Sequence, residues 1–478
     1  MSDHLNVDIC VIGAGSGGLS VAAGASQMGA SVVLVEKGAM GGDCLNFGCV
    51  PSKALLAAGH AARAHLDGGP FGVTYGAPDI DGGAVFDHVR RTIAAIAPLD
   101  SVERFEGLGV TVIRDAARFT GPQQVAAGGR TIRARRVVVA TGSGPFVPPI
   151  PGLDTVPYLT NETLFDQTGL PGHLIVIGGG PIGMEMAQAH RHLGCRVTVL
   201  EAARIMPKDD PELVEVLRRQ LDADGLVLRE GAQILRVERD GDGIAVVLKA
   251  GDDGGGGEER LTADRLLVAT GRRPAVDGLD LDKAGVAFSA KGIQVDARLR
   301  TTNKKVYAIG DVAGGMQFTH LAGYHAGVVI KNALFRWPAK ADHSAIPWVT
   351  YTAPELAQVG LTAAQAKETA GDIRVLRWPF ADNDRARAER RIDGLVKAVA
   401  TPKGKVLGAG IVGARAGELI QPWVLAVQGK LTVGDLAQTV APYPTLGEAS
   451  KRAAASFYTA SLFGPRTKKL VRFLARFG

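Results

Sequence analysis

Only four cysteines, Cys10, Cys44, Cys49 and Cys195, occur in 478 residues. That density excludes a disulfide-stapled scaffold, and in a reducing compartment a disulfide among them is expected to be catalytic or sensing. No apolar run approaches the roughly 18 residues a membrane-spanning helix needs. Segment 1–8 is polar and lacks the charged start and apolar stretch of a secretory signal, so a cytoplasmic location is expected. The net charge of +6 is spread thinly, with no basic stripe interleaved with aromatics, so no nucleic-acid partner is expected. What is abundant is glycine, at 63 residues, which implies many tight turns or close approaches to a ligand. The length exceeds what one hydrophobic core supports and predicts roughly three domains.

The chain carries one unit twice. An apolar run at 7–12 ends in Gly13, Gly15 and Gly18; a helical stretch follows, then an apolar run at 31–35 closed by Glu36. The second copy has a run at 174–177, then Gly178, Gly180 and Gly183, a helical stretch, and a run at 196–200 closed by Glu201. In both copies the acid lies 23 residues after the first glycine (36 − 13 and 201 − 178). A lone G-x-G-x-x-G is usually only a glycine turn. Two in register, each with strand, helix and a terminal acid able to hydrogen-bond a ribose, point to two dinucleotide sites with pyrophosphates at helix N-termini. Apolar runs at 137–140, 266–269 and 306–309 lead into Thr141-Gly142, Thr270-Gly271 and Gly310-Asp311, and read as buried strands ending at ligand crevices. Segment 251–256 (GDDGGG) reads as a hairpin or surface loop. From Ile346 onward, short strands such as 394–400 and 406–412 alternate with helices, predicting a separate α+β domain.

The most specific segment is Gly41-Gly-Asp-Cys44-Leu-Asn-Phe-Gly-Cys49-Val-Pro51-Ser-Lys53. Two cysteines separated by four residues can close a small ring at a helix start, where the helix N-terminus stabilises a thiolate. Gly48 gives the turn room, and Pro51 suits a first helical turn. A zinc site would need further Cys or His ligands at metal spacing, and none lies nearby, so no metal site is expected. Cys10, within a strand, and Cys195, at the start of one, read as buried structural residues.

These residues together resemble the flavin-dependent pyridine-nucleotide disulfide oxidoreductases, among them dihydrolipoamide dehydrogenase, glutathione reductase and mercuric reductase. The resemblance covers nearly the whole chain and includes Gly271-Arg-Arg-Pro274 and Gly310-Asp311. It implies an α/β fold with two Rossmann-like dinucleotide-binding domains plus a C-terminal α+β dimerisation domain. The implied FAD domain comprises 1–150 and 278–345, the NAD(P) domain 151–277, and the interface domain 346–478, with the active site formed across a homodimer. By the same resemblance the first glycine unit binds FAD and the second the nicotinamide cofactor. Thr141, Gly142, Gly271 and Gly310 line the crevices, and Asp311 contacts the FAD ribityl chain. Cys49 is the thiol against the flavin, Cys44 the exchange thiol facing substrate, and Lys53 and Glu185 an ion pair near the flavin's reactive edge.

Disulfide reductases of the family carry a histidine followed by proline, with a glutamate five residues after the histidine, directed to the partner's active site. Here the stretch is Ala441-Pro-Tyr443-Pro-Thr-Leu-Gly-Glu448: the glutamate is present and tyrosine stands at the base position, as in mercuric reductases. One departure from mercuric reductases is the absence of any cysteine after Cys195, and the resemblance, which starts at the first glycine unit, leads to the expectation of no N-terminal metal-capture domain. Another departure is Glu201, which disfavours a 2′-phosphate and argues for NADH over NADPH. The expected reaction passes electrons from NADH through FAD and the Cys44–Cys49 disulfide to a thiol-bound metal or a small disulfide. Alternatives are a dihydrolipoamide dehydrogenase and a flavin-bound redox sensor with little turnover. In the tail, Leu470, Phe473, Leu474 and Phe477 share one helical face, while Lys468, Lys469, Arg472 and Arg476 lie elsewhere. That pattern reads as a membrane-surface helix or as a terminal helix packed on its own dimer, and the second is expected.

Overall fold

The apolar run that opens the chain forms the strand His4–Ile12, whose last four residues are buried. Valine- and isoleucine-rich runs of this kind suit parallel strands covered on both faces. The strand pairs in parallel with Val32–Val35 and with Arg130–Val139. Val110–Ile113 extends the sheet beyond Val32–Val35, and Val306–Ala308 pairs in parallel with Arg130–Val139. The antiparallel strands Gln124–Ala127 and Arg118–Gly121 complete it. The second copy repeats the device: His173–Ile177 lies between Arg196–Glu201 and Arg265–Val268, both parallel to it. An antiparallel layer of Ile234–Asp240, Gly243–Lys249 and Glu258–Ala263 follows in the same copy. This is a computed structural model in which residues 4–250 and 257–477 are described, so the loop expected at 251–256 lies outside the described residues.

The two glycine turns share one lock. Gly13 and Gly178 have φ of +104° and +113°, and a Cβ on either would strike the carbonyl of Ala140 or Ala269. A Cβ on Gly18 or Gly183 would strike the carbonyl of the first glycine of its own turn. These four glycines are required by backbone packing alone. The closing acids clamp the turns from the far strand: the Ala14 N–H donates to Glu36 Oε2 at 2.6 Å and the Gly179 N–H to Glu201 Oε2 at 2.7 Å.

The chain divides into two compact units, Met1–Ala202 with Arg229–Asp342, and Ala203–Leu228 with His343–Gly478. The second unit is built on five antiparallel strands in the order Trp348–Thr350, Glu355–Gly360, Val406–Gly413, Leu395–Ala400, Arg374–Pro379. Its core includes fully buried Trp423, whose indole N–H donates to Ser450 Oγ at 3.0 Å. The helix Pro211–Ala223, capped by the Asp210 carboxylate, belongs to this unit and buries Leu213, Leu217 and Leu221. Segment 203–228 groups here because its acids meet the sheet. Lys397 Nζ sits 2.7 Å from both Asp210 Oδ1 and Glu212 Oε2. Arg377 holds Glu212 with two hydrogen bonds of 2.7 and 2.9 Å, and the Trp348 N–H donates to Asp209 at 2.8 Å. The reach of these bonds, not local pattern, sets the boundary.

Candidate active site

Cys44 lies on the short helix Gly42–Asn46, and Cys49 is the first residue of the long helix Cys49–Asp67. The turn between them is tight: a Cβ on Gly48 would lie 2.9 Å from Asp43 Oδ2 and 3.0 Å from the Asp43 carbonyl oxygen. The segment is anchored to the first glycine turn, since the Gly41 N–H donates to the Ala14 carbonyl at 3.0 Å and Gly41 forms a bridge with Gly15.

Cys44 and Cys49 are not bridged to each other, and each shifts the titration of the other. This makes the pair asymmetric. The thiol of Cys49 falls to about 6, chiefly because Cys44 donates to its sulfur, with Thr319 and the positive charge of Lys53 adding to the effect. Burial alone would push it the other way. Cys44 is driven far above the ordinary thiol range by that same hydrogen bond, by burial and by the charge on Cys49. Thr319, the first residue of the helix Thr319–Ala333, places its hydroxyl 3.5 Å from Cys49 Sγ. Cys10 and Cys195 are buried, and burial pushes their thiols up to about 12 and about 11.

One turn into the Cys49 helix, Lys53 Nζ meets Glu185 Oε2 at 2.7 Å, with Glu185 almost fully buried. Glu185 sits on Pro181–His192, the helix of the second glycine turn, so within the first compact unit this ion pair ties the cysteine helix to the second dinucleotide motif. Backbone closeness supports it: a Cβ on Gly59 would lie 3.1 Å from the Ala189 carbonyl oxygen.

Asp311 receives the Ser143 hydroxyl at 2.6 Å, and burial raises its carboxyl above the ordinary range. Arg272 donates to Ser143 Oγ and to its carbonyl, each at 2.8 Å, and pairs with Asp43 at 3.0 Å. The amide of Asn161 also donates to Asp43 at 3.0 Å. A chain of contacts therefore runs from Asp311 to the residue beside Cys44. Arg272, Ser143, Asp43, Asn161 and Thr319 were not singled out for these roles by the sequence reading. The arginine was visible within Gly271-Arg-Arg-Pro274, but its partners are distant in the chain. Thr141 turns its hydroxyl to the Ala275 carbonyl at 2.7 Å, and the Gly310 N–H donates to His325 at 3.2 Å. Gly142 and Gly271 have φ of +69° and +139°.

The middle glycines differ from their neighbours. A Cβ on Gly15 would come no nearer than 4.0 Å to any atom, and one on Gly180 would meet nothing within 4 Å. Backbone packing does not require glycine at either position, whereas close approach of a pyrophosphate does. The helices Ser16–Gln27 and Pro181–His192 begin there without side-chain caps, leaving their first N–H groups for an anion. These cradles fit FAD and a nicotinamide dinucleotide. Among the described residues, no cluster of three or more His, Cys, Asp or Glu could hold a metal ion.

Tyr443 and Glu448 belong to the second unit. Tyr443 is 69% exposed, and its hydroxyl donates to Asp384 Oδ2 at 2.9 Å. Glu448 instead accepts from Arg452 at 2.8 and 3.0 Å. The hydrogen bond to Asp384, and that residue's negative charge, hold the Tyr443 phenol above its ordinary pKa, with Glu448 a lesser contributor. Asp384 was missed in the sequence because nothing local marks it.

The family model described as pyridine nucleotide-disulphide oxidoreductase matches residues 7–326, and the dimerisation-domain model of the same name matches 346–454. A mercuric reductase of Lysinibacillus sphaericus is 37% identical over 455 residues, covering 95% of this chain and 83% of that protein. A dihydrolipoyl dehydrogenase of Thermus scotoductus is 38% identical over 468 residues, covering 94% and 97%. Among solved structures, the Cu(II) complex of the HOCl-induced flavoprotein disulfide reductase RclA from Escherichia coli matches with a TM-score of 0.83 at 28% identity, covering 93% of this chain and 99% of that one.

Proposed function

Because this chain belongs to the pyridine nucleotide-disulphide oxidoreductase family, FAD-dependent enzymes that use NAD(P)H, we propose that it delivers the electrons of NADH to a soft metal ion bound by small thiols, with Hg(II) as the representative substrate. The turn around Gly13, Gly15 and Gly18, together with Asp311, would hold FAD, which would supply two-electron transfer between NADH and the Cys44–Cys49 disulfide. The resulting pair has the charge distribution such chemistry needs, with Cys49 a thiolate and Cys44 holding the proton. Cys44 then exchanges with a thiol ligand of the metal, and its proton leaves with the departing thiol. The net reaction is Hg(SR)2 + NADH + H+ → Hg(0) + NAD+ + 2 RSH.

The observation that carries this reading is the Tyr443–Asp384 hydrogen bond. Proton relay to a dithiol substrate calls for a base that titrates near neutral pH, as histidine does. A tyrosine at its ordinary pKa near 10 is only about one part in a thousand phenolate at pH 7, a cost of about 4 kcal/mol. The Asp384 carboxylate raises that cost further. As a neutral phenol, Tyr443 offers an oxygen to a metal ion held between sulfurs. The mercuric reductase at 37% identity and the Cu(II) complex of the structural relative agree with a metal acceptor. The dihydrolipoyl dehydrogenase at 38% identity supports the second reading, lipoamide as substrate.

Steady-state assays with Hg(II) in excess small thiol, Cu(II), dihydrolipoamide and glutathione disulfide separate these. Metal reduction is expected to dominate. Tyr443→Phe should lower it about tenfold or more while flavin reduction by NADH is unchanged, and fast lipoamide turnover insensitive to that substitution would favour the second reading. The Glu201 carboxylate, held at the glycine turn by the Gly179 N–H, supports NADH. The expected preference over NADPH in kcat/KM is about tenfold or more, or about 1.4 kcal/mol; equal values would count against it.

A further inference from the structure

We propose that the tail helix Pro465–Leu474, with the residues that follow it to Phe477, is an interfacial anchor that seats the enzyme on an anionic phospholipid bilayer. Pro465 at its start and Gly464 before it set the helix off from the short helix Thr459–Leu462. With about 100° of turn per residue, Leu470, Phe473, Leu474 and Phe477 fall within one arc of about 100°, and Lys468, Lys469, Arg472 and Arg476 fill a separate arc of about 100° beside it. The apolar side chains are uncovered: Leu470 is 54% exposed, Phe473 53%, Leu474 53% and Phe477 75%. Leu462 and Phe463, just before the helix, are also exposed, at 56% and 69%. The Phe473 and Phe477 rings meet edge to face at 5.2 Å, forming one compact aromatic wedge.

Charge chooses the occupant. Segment 453–478 carries five cations, Arg466, Lys468, Lys469, Arg472 and Arg476, and no aspartate or glutamate. Among the described residues none of the five is paired with a carboxylate. A two-fold contact that paired the helix with its own copy would bring ten cations together with no aspartate or glutamate in segment 453–478 of either chain to offset the repulsion. Anionic headgroups neutralise Lys468, Lys469, Arg472 and Arg476 while the wedge enters the acyl boundary, and the long side chains, including that of Arg466 on the apolar side at the helix start, reach up to the phosphates. No helix among the described residues is long and apolar enough to cross a membrane, so the contact is with one leaflet. The dimerisation domain gives the holoenzyme two tails, which raises avidity without new contacts.

The test is flotation of the full-length FAD-loaded enzyme with phosphatidylcholine vesicles, with and without about 30% phosphatidylglycerol. Binding to the anionic vesicles should be at least about tenfold tighter, and should fall about tenfold between roughly 0.1 and 0.5 M salt. Phe473→Glu combined with Leu470→Glu, and separately Lys468→Glu with Lys469→Glu and Arg472→Glu, should each abolish it. Both variants should stay dimeric by light scattering and keep wild-type flavin reduction by NADH. Equal binding to the two vesicle types, or none, overturns the proposal. So does dissociation of the apolar-face variant into monomers, which would assign the helix to the interface between copies.

Discussion

A thiol lowered to about 6 beside one driven far above its ordinary range means that the reduced pair holds a single proton, on Cys44. Cys49 is therefore a thiolate above about pH 6 and a thiol below it. In the FAD-loaded enzyme given one equivalent of NADH, long-wavelength thiolate-to-flavin absorbance should hold steady in the alkaline range and disappear as pH falls through about 6. Cys49→Ser should abolish it at every pH. Cys44→Ala should show it without reductant, with its midpoint displaced upward, because the largest support of the thiolate has been removed. A midpoint left near 6 in that variant would assign the low pKa to Lys53 and Thr319 instead.

Elements are joined here by charged groups placed between them. Lys397 on the strand Leu395–Ala400 is nearly buried, as is Asp210, and the two meet at 2.7 Å. Replacing one partner of such a pair leaves the other charge buried alone, so Lys397→Met should cost about 3–5 kcal/mol in denaturant unfolding. A change below about 1 kcal/mol would show that water reaches Asp210. Glu212, held down to about 2 chiefly by Arg377, adds a pH signature. Its folded pKa lies below the ordinary glutamate value of 4.5, so its contribution is present above about 4.5 and lost as pH falls towards 2. Glu212→Gln should flatten the acid limb of stability in that window. These joints mark where sequence reading stops. The glycine turns, the closing acids and the cysteine segment were legible because each is a local pattern of backbone need. The Lys397–Asp210 pair spans 187 positions and Tyr443–Asp384 spans 59, and no periodicity records either. Most strand ends were read to within three residues, but the strand read at 137–140 begins at Arg130, since hydrogen-bond pairing and not hydropathy decides where a strand starts.

At the scale of the molecule, the dimerisation domain makes the homodimer the working unit. If Tyr443 and Glu448 serve the partner's cysteines, Cys44→Ser and Glu448→Gln chains, each inactive alone, should complement when allowed to exchange. Equal mixing should restore roughly a quarter of wild-type activity, since half of the dimers are mixed and each has one intact site. No recovery after demonstrated exchange would confine each site to a single chain. The division into units also bears on how the protein is made. The helix Pro211–Ala223 buries Leu213, Leu217 and Leu221, yet the lysine that receives its capping acid lies 187 residues further on. At ~5–20 residues per second a ribosome takes roughly 10–40 s to cover that distance. During that interval Asp210 stands on the nascent chain without the strand Leu395–Ala400 that carries its charge partner, so the joint between them can close only after Lys397 has left the ribosome.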